Sequence, residues 1–555
     1  MVAALATLGF RMWRLALALG MLCSALALAA CGRDEAGGPL DDALGFLPAD
    51  APVAVVIDTD SKSGQYEALR RIIDKFPFGD QAAESLKGRL EKGGSIDFER
   101  DVNPILGNPL VVGAPDAVAL TAAEMHGGSE RAGKADGEGL LDPHPKDRGP
   151  HDEDRGPGDL GTTKNGRSND EYVAVIQAKD KAKLDALLKK QGLEEAGEKN
   201  GAKLYKSSGG DFLAVKDDML VLAGTKKLLD GALAQREKGG GLEQDTLDEG
   251  LEGLPENALV KIYADVEALV KSGRSASDAQ RVEWVKALRK LGMTMSAKSD
   301  ALRLDFKLGT EGDLSEADLP IASGEGSPNV VKRAGEIAFG IRDPSQIVAF
   351  AESAGQAVNP AGYGQYTTAK KRIERQLGVS IDDDLIGQLS GDTSLNVGLD
   401  GKYGVRAELK DAARFKRTLE KVASDLPRVI ADTGGGKVDL VEPRSPDGFY
   451  KLTKRGGRSV VFGVVDDVFV LSDDPARAGE LVKQTPRAVA GAKGSGVMYA
   501  DARKIAEQVI AQLYPQAGAL GGLGSQLFAG ALGDLTGSVS ADENGLKGNL
   551  KLGFE

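Results

Sequence analysis

Histidine side chains, which could bind a metal ion or act as a general base, are confined to one segment of this 555-residue chain. The chain has three, His126, His144 and His151, and all lie within residues 124–169 beside several carboxylates. Imidazoles and carboxylates suit zinc and other divalent ions, but these spacings match no closed zinc motif. Glycine, proline and charge dominate the segment, which is typical of a solvated, disordered loop. We therefore predict no metal centre, and the three histidines stand only as alternative metal ligands.

The rest of the sequence lacks the histidines and motifs that common hydrolases use for catalysis. Serine- or cysteine-based catalysis would have to use these same histidines, and the chain has no G-x-S-x-G motif. The stretch Gly128–Ala135 satisfies G-x-x-x-x-G-K, but Ala135 stands where the phosphate-binding motif needs a hydroxyl for Mg²⁺. The sequence thus predicts a non-catalytic protein that binds no nucleotide and no cofactor. An exported metal- or carboxylate-dependent hydrolase is the alternative.

Two pairs of adjacent aspartates, Asp217-Asp218 and Asp466-Asp467, could share acid and base roles if their carboxylates faced one site. Each pair separates two apolar runs, a pattern that predicts the turn of a β-hairpin. Tyr263-Ala-Asp265 and Tyr499-Ala-Asp501 lie where a predicted strand passes into a predicted helix. There we expect each aspartate to cap the helix and each tyrosine to enter the core, with a functional Tyr–Asp pair as the alternative.

The sulfur of Cys31 is a candidate for lipid attachment. It follows an uncharged run, Leu15–Ala30, that a short basic stretch precedes, which is the layout of a secretory signal peptide. Leu28-Ala29-Ala30-Cys31 resembles the bacterial lipobox, where a diacylglyceryl group joins the cysteine and cleavage occurs just before it. Two acyl chains anchor a protein stably, whereas one holds it only marginally. We predict a signal peptide (1–30), a lipidated tether (31–42) and a place on the extracytoplasmic face of the cell membrane. An ordinary cleavage site beside a cysteine is the alternative.

The composition restricts the partners and the source of stability. The formal net charge is −13 at pH 7, which argues against nucleic acid and against electrostatic binding to anionic lipid headgroups. The only other cysteine, Cys23, lies inside the predicted signal peptide. An exported chain without disulfides must depend on its packed core, and this chain is long enough to supply one.

The elements that would position these residues occur twice along the chain. Pairs of similar segments keep the same order in both halves: 213–222 with 462–471, 261–270 with 497–506, and 302–311 with 546–555. Ordered internal similarity indicates a duplication. We predict two tandem copies of one fold, residues 43–312 and 328–555, joined by a linker at 313–327. Residues 124–169 form an insertion in the first copy.

Hydrophobic periodicity predicts the fold class. In residues 302–309 the apolar side chains alternate with charged or polar ones, which indicates an antiparallel strand with one face on the core. Helical patterns separate such strands, and we also predict helix across the charged segment 281–292. The predicted class is α+β, with helices packed on a mostly antiparallel sheet in each copy.

Several segments together resemble a bacterial family catalogued as domain of unknown function 3352. They are Leu47-Pro48-Ala49-Asp50, the block "SIDFERDVNPILG" at 95–107, the two Asp-Asp hairpins and the terminal "KLGFE". The resemblance covers most of the chain after the signal peptide. It implies an envelope protein without an assigned activity, and it transfers no catalytic residues.

The segment 509–533 of the second copy is uncharged, whereas the corresponding segment of the first copy, 281–292, is charged. Its apolar residues, interleaved with glycine and alanine, are Leu520, Leu523, Leu527, Phe528 and Leu532. One interpretation is buried packing between the copies. The other is an apolar pocket or patch for a lipid, a hydrophobic small molecule or an envelope protein. We expect a membrane-anchored, non-catalytic binding protein, with a structural spacer in the envelope as a further alternative.

Overall fold

The computed structural model describes residues 38–77, 97–114, 172–191, 193–206, 212–273, 276–389, 391–432, 437–445, 448–454, 457, 459–513 and 529–555. In this part of the chain twenty β-strands form one sheet. The strands of the first half are β1 Val53–Ile57, β2 Leu110–Ala114, β3 Val173–Gln177, β4 Glu194–Lys199, β5 Ala202–Lys206, β6 Phe212–Lys216, β7 Met219–Ala223, β8 Val260–Asp265, β9 Leu288–Lys298 and β10 Ala301–Thr310. Those of the second half are β11 Glu336–Arg342, β12 Asp392–Gly398, β13 Tyr403–Glu408, β14 Val438–Val441, β15 Tyr450–Lys454, β16 Ser459–Val465, β17 Val468–Ser472, β18 Gly496–Asp501, β19 Leu532–Asp542 and β20 Gly545–Phe554.

The strand order is the same in the two halves, mirrored about the pair β10–β20. Hydrogen bonds order the strands β4-β5-β6-β7-β3-β2-β1-β8-β9-β10-β20-β19-β18-β11-β12-β13-β17-β16-β15-β14. All these pairs are antiparallel. The join between the halves keeps one register from Ala301 opposite Gly553 to Gly309 opposite Gly545. The predicted α+β class with an antiparallel sheet is confirmed.

Helices connect the strands. They are α1 Pro39–Leu44, α2 Gly64–Ile73, α3 Lys181–Lys190, α4 Lys226–Lys238, α5 Gln244–Leu251, α6 Val266–Ser272, α7 Ala276–Ala279, α8 Glu283–Ala287, α9 Pro344–Val358, α10 Pro360–Leu377, α11 Ile381–Asp384, α12 Ala412–Asp432, α13 Pro475–Lys483 and α14 Ala502–Leu513. Single turns of other geometry occur at Phe98–Val102, which is π-helical, and at Glu316–Asp318 and Ile386–Gln388, which are 3₁₀.

Both faces of the sheet carry helices. On β1, Ala54 and Val56 belong to a buried cluster with side chains of α1, α4 and α5. Ile57, on the opposite face of the same strand, packs with Tyr66 and Leu69 of α2. Successive side chains of a strand point to opposite faces, so each β1 residue contributes to one of two cores.

Two segments predicted to be a tether and a linker take part in this packing. Leu40, Ala43 and Leu44 of α1 are buried, so residues 39–42 of the predicted tether belong to the packed fold. Leu319, within the predicted linker, is also buried. It lies in a cluster with Trp284 of α8 and Phe350 of α9, which brings together both halves of the chain.

The prediction of helix across 281–292 is correct only for Glu283–Ala287. Helix α8 ends at Ala287, and β9 begins at the next residue. Strand β9 pairs with β8 on one side and with β10 on the other, so its backbone groups are satisfied by two ladders. Helix propensity is a weak preference that such tertiary pairing overrides.

Candidate functional site

Most residues predicted to carry function lie outside the described part of the chain. These are Cys31, His126, His144, His151, Leu520, Leu523, Leu527 and Phe528. Leu532 is described. It opens β19 and packs against the buried cluster that includes Ile57, Leu259 and Phe554, so it contacts the core of the first half.

The paired aspartates form hairpin turns, as predicted. Asp217 and Asp466 have positive φ angles of 57° and 52°, a conformation that aspartate tolerates better than most residues. Each pair lies between strands that are joined residue by residue, β6 with β7 and β16 with β17. The Asp218 carboxylate accepts a hydrogen bond of 2.8 Å from the Gln177 side-chain amide. Both residues of each pair thus lie in a hairpin turn, and Asp218 also contacts β3 through Gln177.

The aspartates that end β8 and β18 are helix N-caps, which confirms that prediction. Asp265 Oδ1 accepts a hydrogen bond of 2.8 Å from the backbone N–H of Ala268 in α6. Asp501 Oδ1 accepts one of 3.0 Å from the backbone N–H of Lys504 in α14. Each satisfies a donor that the first helical turn would otherwise leave open.

The tyrosines beside these caps have different surroundings in the two halves. Tyr263 is buried, and burial raises its pKa to about 12. The Tyr499 hydroxyl donates a hydrogen bond of 3.0 Å to Asp534, and partial burial together with that carboxylate raises its pKa to about 12. The Lys332 ammonium lies 4.3 Å from the centre of the Tyr499 ring. Both phenols stay protonated at neutral pH, so neither is placed as a base.

A cavity of about 360 Å³ lies where β1 ends and α2 begins. We call it the β1 cleft; its polar lining includes Asp58, Asp60, Ser63, Gln65, Glu256 and Lys261. Local hydrogen bonds fix the backbone beside it. Thr59 Oγ1 donates to the backbone carbonyl of Asn108 at 2.7 Å and accepts from the backbone N–H of Gly107 at 3.0 Å. Ser63 caps α2 by accepting from the N–H of Tyr66 at 3.3 Å.

Asp60 is the most unusual side chain of the β1 cleft. It is 1% exposed, and its Oδ1 accepts a hydrogen bond of 2.6 Å from the backbone N–H of Lys62. Its Oδ2 is buried and has no hydrogen-bond partner among the described residues. Burial raises the pKa of this carboxyl above its ordinary value, although the Lys62 N–H and the Lys179 charge oppose the rise. A buried polar group left unsatisfied costs about 1–3 kcal/mol, so Asp60 is a feature that stability alone does not explain.

A second cavity, of about 480 Å³, lies between helices α10 and α12. We call it the α10–α12 groove; its lining includes Ala361, Gly364, Thr368, Arg372, Ile373 and Val429. The α10 residues recur at helical spacing, so they share one face of that helix. Arg372 is exposed there, and its side chain has no ion pair or hydrogen bond within the described residues. The groove therefore combines small and apolar walls with one uncompensated cation.

Metal ligands do not converge in the described part of the chain: no three histidine, cysteine, aspartate or glutamate side chains there are placed to hold an ion. In the same residues, no helix has both the length and the apolar character that crossing a bilayer requires.

Neither cavity was predicted from the sequence. A signal for the β1 cleft exists in "IDTDS" at 57–61, where two carboxylates follow a buried strand. The small residues of α10 at 361, 364 and 368 are a comparable signal for the groove. Both patterns are equally typical of ordinary loops and helix surfaces, and only the tertiary packing distinguishes them.

Comparison with known proteins gives one family match. The model of the family described as "Protein of unknown function (DUF3352)" matches residues 14–412, more than half of the chain. No curated protein matches. Among solved structures, crystal forms III, I and IV of TP0453 are 8%, 10% and 7% identical to this chain, each with a TM-score of 0.24. They cover 49%, 49% and 48% of this chain and 81%, 80% and 79% of their own length.

Proposed function

The chain belongs to DUF3352, a family of proteins of unknown function, and on that premise we propose that it is a lipid-anchored binding protein on the extracytoplasmic face of a bacterial cell membrane. The anchor is the lipid on Cys31, and the supporting observation is the lipobox-like sequence that ends an uncharged run. Metabolic labelling with an alkyne fatty acid tests the anchor. The label should appear on the wild-type chain and be absent from Cys31→Ser; equal labelling of both would refute it.

We also propose that the protein consists of two tandem copies, at 43–312 and 328–555. The ordered sequence similarities support a duplication. The identical relative order of the ten strands in each half supports it independently, because unrelated halves have no physical reason to share nine strand pairings.

The proposed activity is binding of an amphiphile that has an apolar chain and an acidic head group. The observation that carries it is the α10–α12 groove, whose volume falls within the range of about 300–1,000 Å³ typical of small-molecule sites. Ile373 and Val429 offer apolar contact to the chain. Arg372, which lacks a counter-ion in the described structure, offers a charge-assisted hydrogen bond to the head group.

Binding is proposed in preference to hydrolysis because the sequence's clearest acid–base candidates have other roles. The paired aspartates lie in hairpin turns, and Asp265 and Asp501 cap helices. A carboxylate-dependent hydrolase would therefore have to use other carboxylates than these.

Mass spectrometry of bound molecules tests the binding proposal. A Cys31→Ser chain without residues 1–30 would be exported behind a cleavable signal, purified and extracted with organic solvent, beside an unrelated exported protein. We expect an amphiphile in near-stoichiometric amount. Gly364→Phe should displace it, because a Cβ at Gly364 meets nothing within 4 Å and the ring can enter the groove.

Arg372→Gln should also reduce the bound amount, and the matched control is Arg375→Gln on the same helix. Arg375 is exposed and does not line the groove. An empty wild-type protein would refute the proposal. So would equal ligand content in wild type and Gly364→Phe, provided that the variant shows the same circular dichroism.

A further inference from the structure

The helical hairpin formed by α9 and α10 carries a further inference. We propose that its tip, residues 353–369, contacts the headgroup region of the bilayer; this rests on the proposed function, because the lipid anchor brings the bilayer within reach. The first observation is that the tip has no charged residue, whereas 28% of the whole chain is charged. Glu352 and Lys370 are the charges on either side of it.

Large apolar and aromatic side chains of the tip face solvent. Val358, the last residue of α9, is 41% exposed, and Tyr366 of α10 is 45% exposed. The other exposed large hydrophobic residues in the described part of the chain, Leu399 and Val441, lie singly, after β12 and on β14. Single exposed apolar residues are ordinary, whereas two on one uncharged hairpin are typical of a contact surface.

The tyrosines of the tip favour a bilayer as the partner. The Tyr366 ring is exposed, while its hydroxyl donates a hydrogen bond of 2.7 Å to Glu352. The ring of Tyr363 lies 5.9 Å from it, centre to centre. Tyrosine rings concentrate where apolar acyl chains meet polar headgroups, because the ring has an apolar body and a polar end. Contact of this kind needs no attraction between charges, which agrees with the net charge of −13.

The length of the tether also favours the bilayer. Seven residues separate the proposed anchor, Cys31, from Gly38, the first described residue. Fully extended, they span at most about 25 Å. The anchored fold therefore stays close to the membrane, and a short tether gives the bilayer a high effective concentration at the protein surface.

The position of the α10–α12 groove gives this contact a purpose. The groove begins in the tip, at Ala361 and Gly364, and reaches Arg372 and Gln376. Ala361 and Arg372 are about 16 Å apart along the helix axis. A tip in the headgroup region directs the small and apolar end of the groove toward the acyl chains and Arg372 away from them. An amphiphile in the outer half of a bilayer already has this orientation, so the bilayer is the source from which the groove takes its ligand.

Flotation with vesicles of phosphatidylcholine tests the contact. The protein is the Cys31→Ser chain without residues 1–30, which lacks the anchor and keeps every described residue. We expect the wild-type tip to bind these vesicles and Val358→Lys to weaken binding at least about tenfold, because the ammonium group resists transfer toward the acyl chains. The matched control, Val441→Lys, adds the same charge at an exposed valine outside the tip and should bind like wild type.

A fluorescent label shows which part of the protein meets the vesicle. The shortened Cys31→Ser chain has no cysteine, so Ala361→Cys places a single environment-sensitive fluorophore on the tip. Its emission should shift to shorter wavelength when vesicles are added. The same label at Val441→Cys should keep its emission unchanged.

Four results would overturn the inference. They are no vesicle binding by the wild-type tip, equal weakening by the two lysine variants, an unshifted label at Ala361→Cys, and a dimer that Val358→Lys dissociates, which would assign the tip to a second copy of the chain. Failure of the proposed function is a different result. A protein that carries an amphiphile but does not bind vesicles refutes the tip contact alone, whereas an empty protein that binds vesicles refutes the amphiphile alone.

Discussion

Replacing Gly548 by alanine should weaken the join between the two halves of the sheet. Gly548 lies on β20 directly opposite Phe306 on β10. A Cβ at this position would lie 2.5 Å from the backbone carbonyl oxygen of Ser538 and 2.7 and 2.8 Å from two carbons of the Phe306 ring. Real Cβ atoms essentially never approach other atoms within 3.0 Å, so both the ring and the neighbouring strand would have to move.

Two effects of opposite sign decide the magnitude. Forcing an extra carbon into a packed site costs about 1–3 kcal/mol. Alanine is better than glycine inside a strand by roughly 0.5–1 kcal/mol. The clash outweighs the gain, and we expect Gly548→Ala to lower the free energy of unfolding by about 1–2 kcal/mol. The matched control is Gly231→Ala in α4, where an added Cβ meets nothing within 4 Å. It should raise stability by about 0.8–1 kcal/mol.

Urea denaturation followed by tryptophan fluorescence measures this change in the free energy of unfolding, and the fluorescence reports on packing between the two halves. A chain without residues 1–30 loses Trp13 and keeps Trp284 as its only tryptophan. Trp284 is buried in the cluster that contains residues from both halves. Adding Phe306→Leu to Gly548→Ala should restore part of the lost stability, because it relieves the ring contact but leaves the Ser538 carbonyl in place. Wild-type stability in Gly548→Ala would refute the reasoning, and so would complete rescue by Phe306→Leu.

Three further predictions follow from single side chains. Asp265→Ala and Asp501→Ala should each lower the free energy of unfolding by about 1 kcal/mol in urea denaturation, and an unchanged midpoint in either would contradict its role as a helix cap. Asp534→Asn should lower the pKa of Tyr499 from about 12 toward its ordinary value, since it removes a carboxylate that disfavours the phenolate. Phenolate absorbance measures this pKa, with Tyr499→Phe as the reference. An unshifted pKa would contradict the prediction. Wild type should lose stability relative to Asp60→Asn as the pH rises from 3.8 through the raised pKa of Asp60, because burial penalises only the ionised carboxylate. Urea titrations at a series of pH values measure this difference. A difference that stays constant across the series would contradict the prediction.

Local patterns predicted the parts of the fold that depend on neighbouring residues. The Asp-Asp turns and the alternating strand β10 came directly from the sequence, because turn chemistry and side-chain period are properties of a few consecutive residues. The β4–β5 hairpin was equally predictable but not predicted. Asn200-Gly201 separates its strands, and both residues have positive φ, the conformation for which that dipeptide is the strongest short signal.

Contacts between distant segments could not be predicted in this way. The alternating pattern of β10 and β20 shows that each is a strand, but it does not show that the two pair with each other. Asp60 lines one cavity with Pro109 and Glu256, which are distant from it in the sequence. Sequence spacing shows that an aspartate follows a strand, but it does not show what covers it.

The β10–β20 join has a consequence for how the protein is made. Thr310 and Glu543, at one end of the join, are hydrogen-bonded although they lie 233 residues apart. Pairings of such long range form slowly, and β10 has an open edge until β20 has been synthesised. An open strand edge is a template for aggregation. Chaperones that shield this edge should therefore matter more for this protein than for a chain of two domains that fold one after the other.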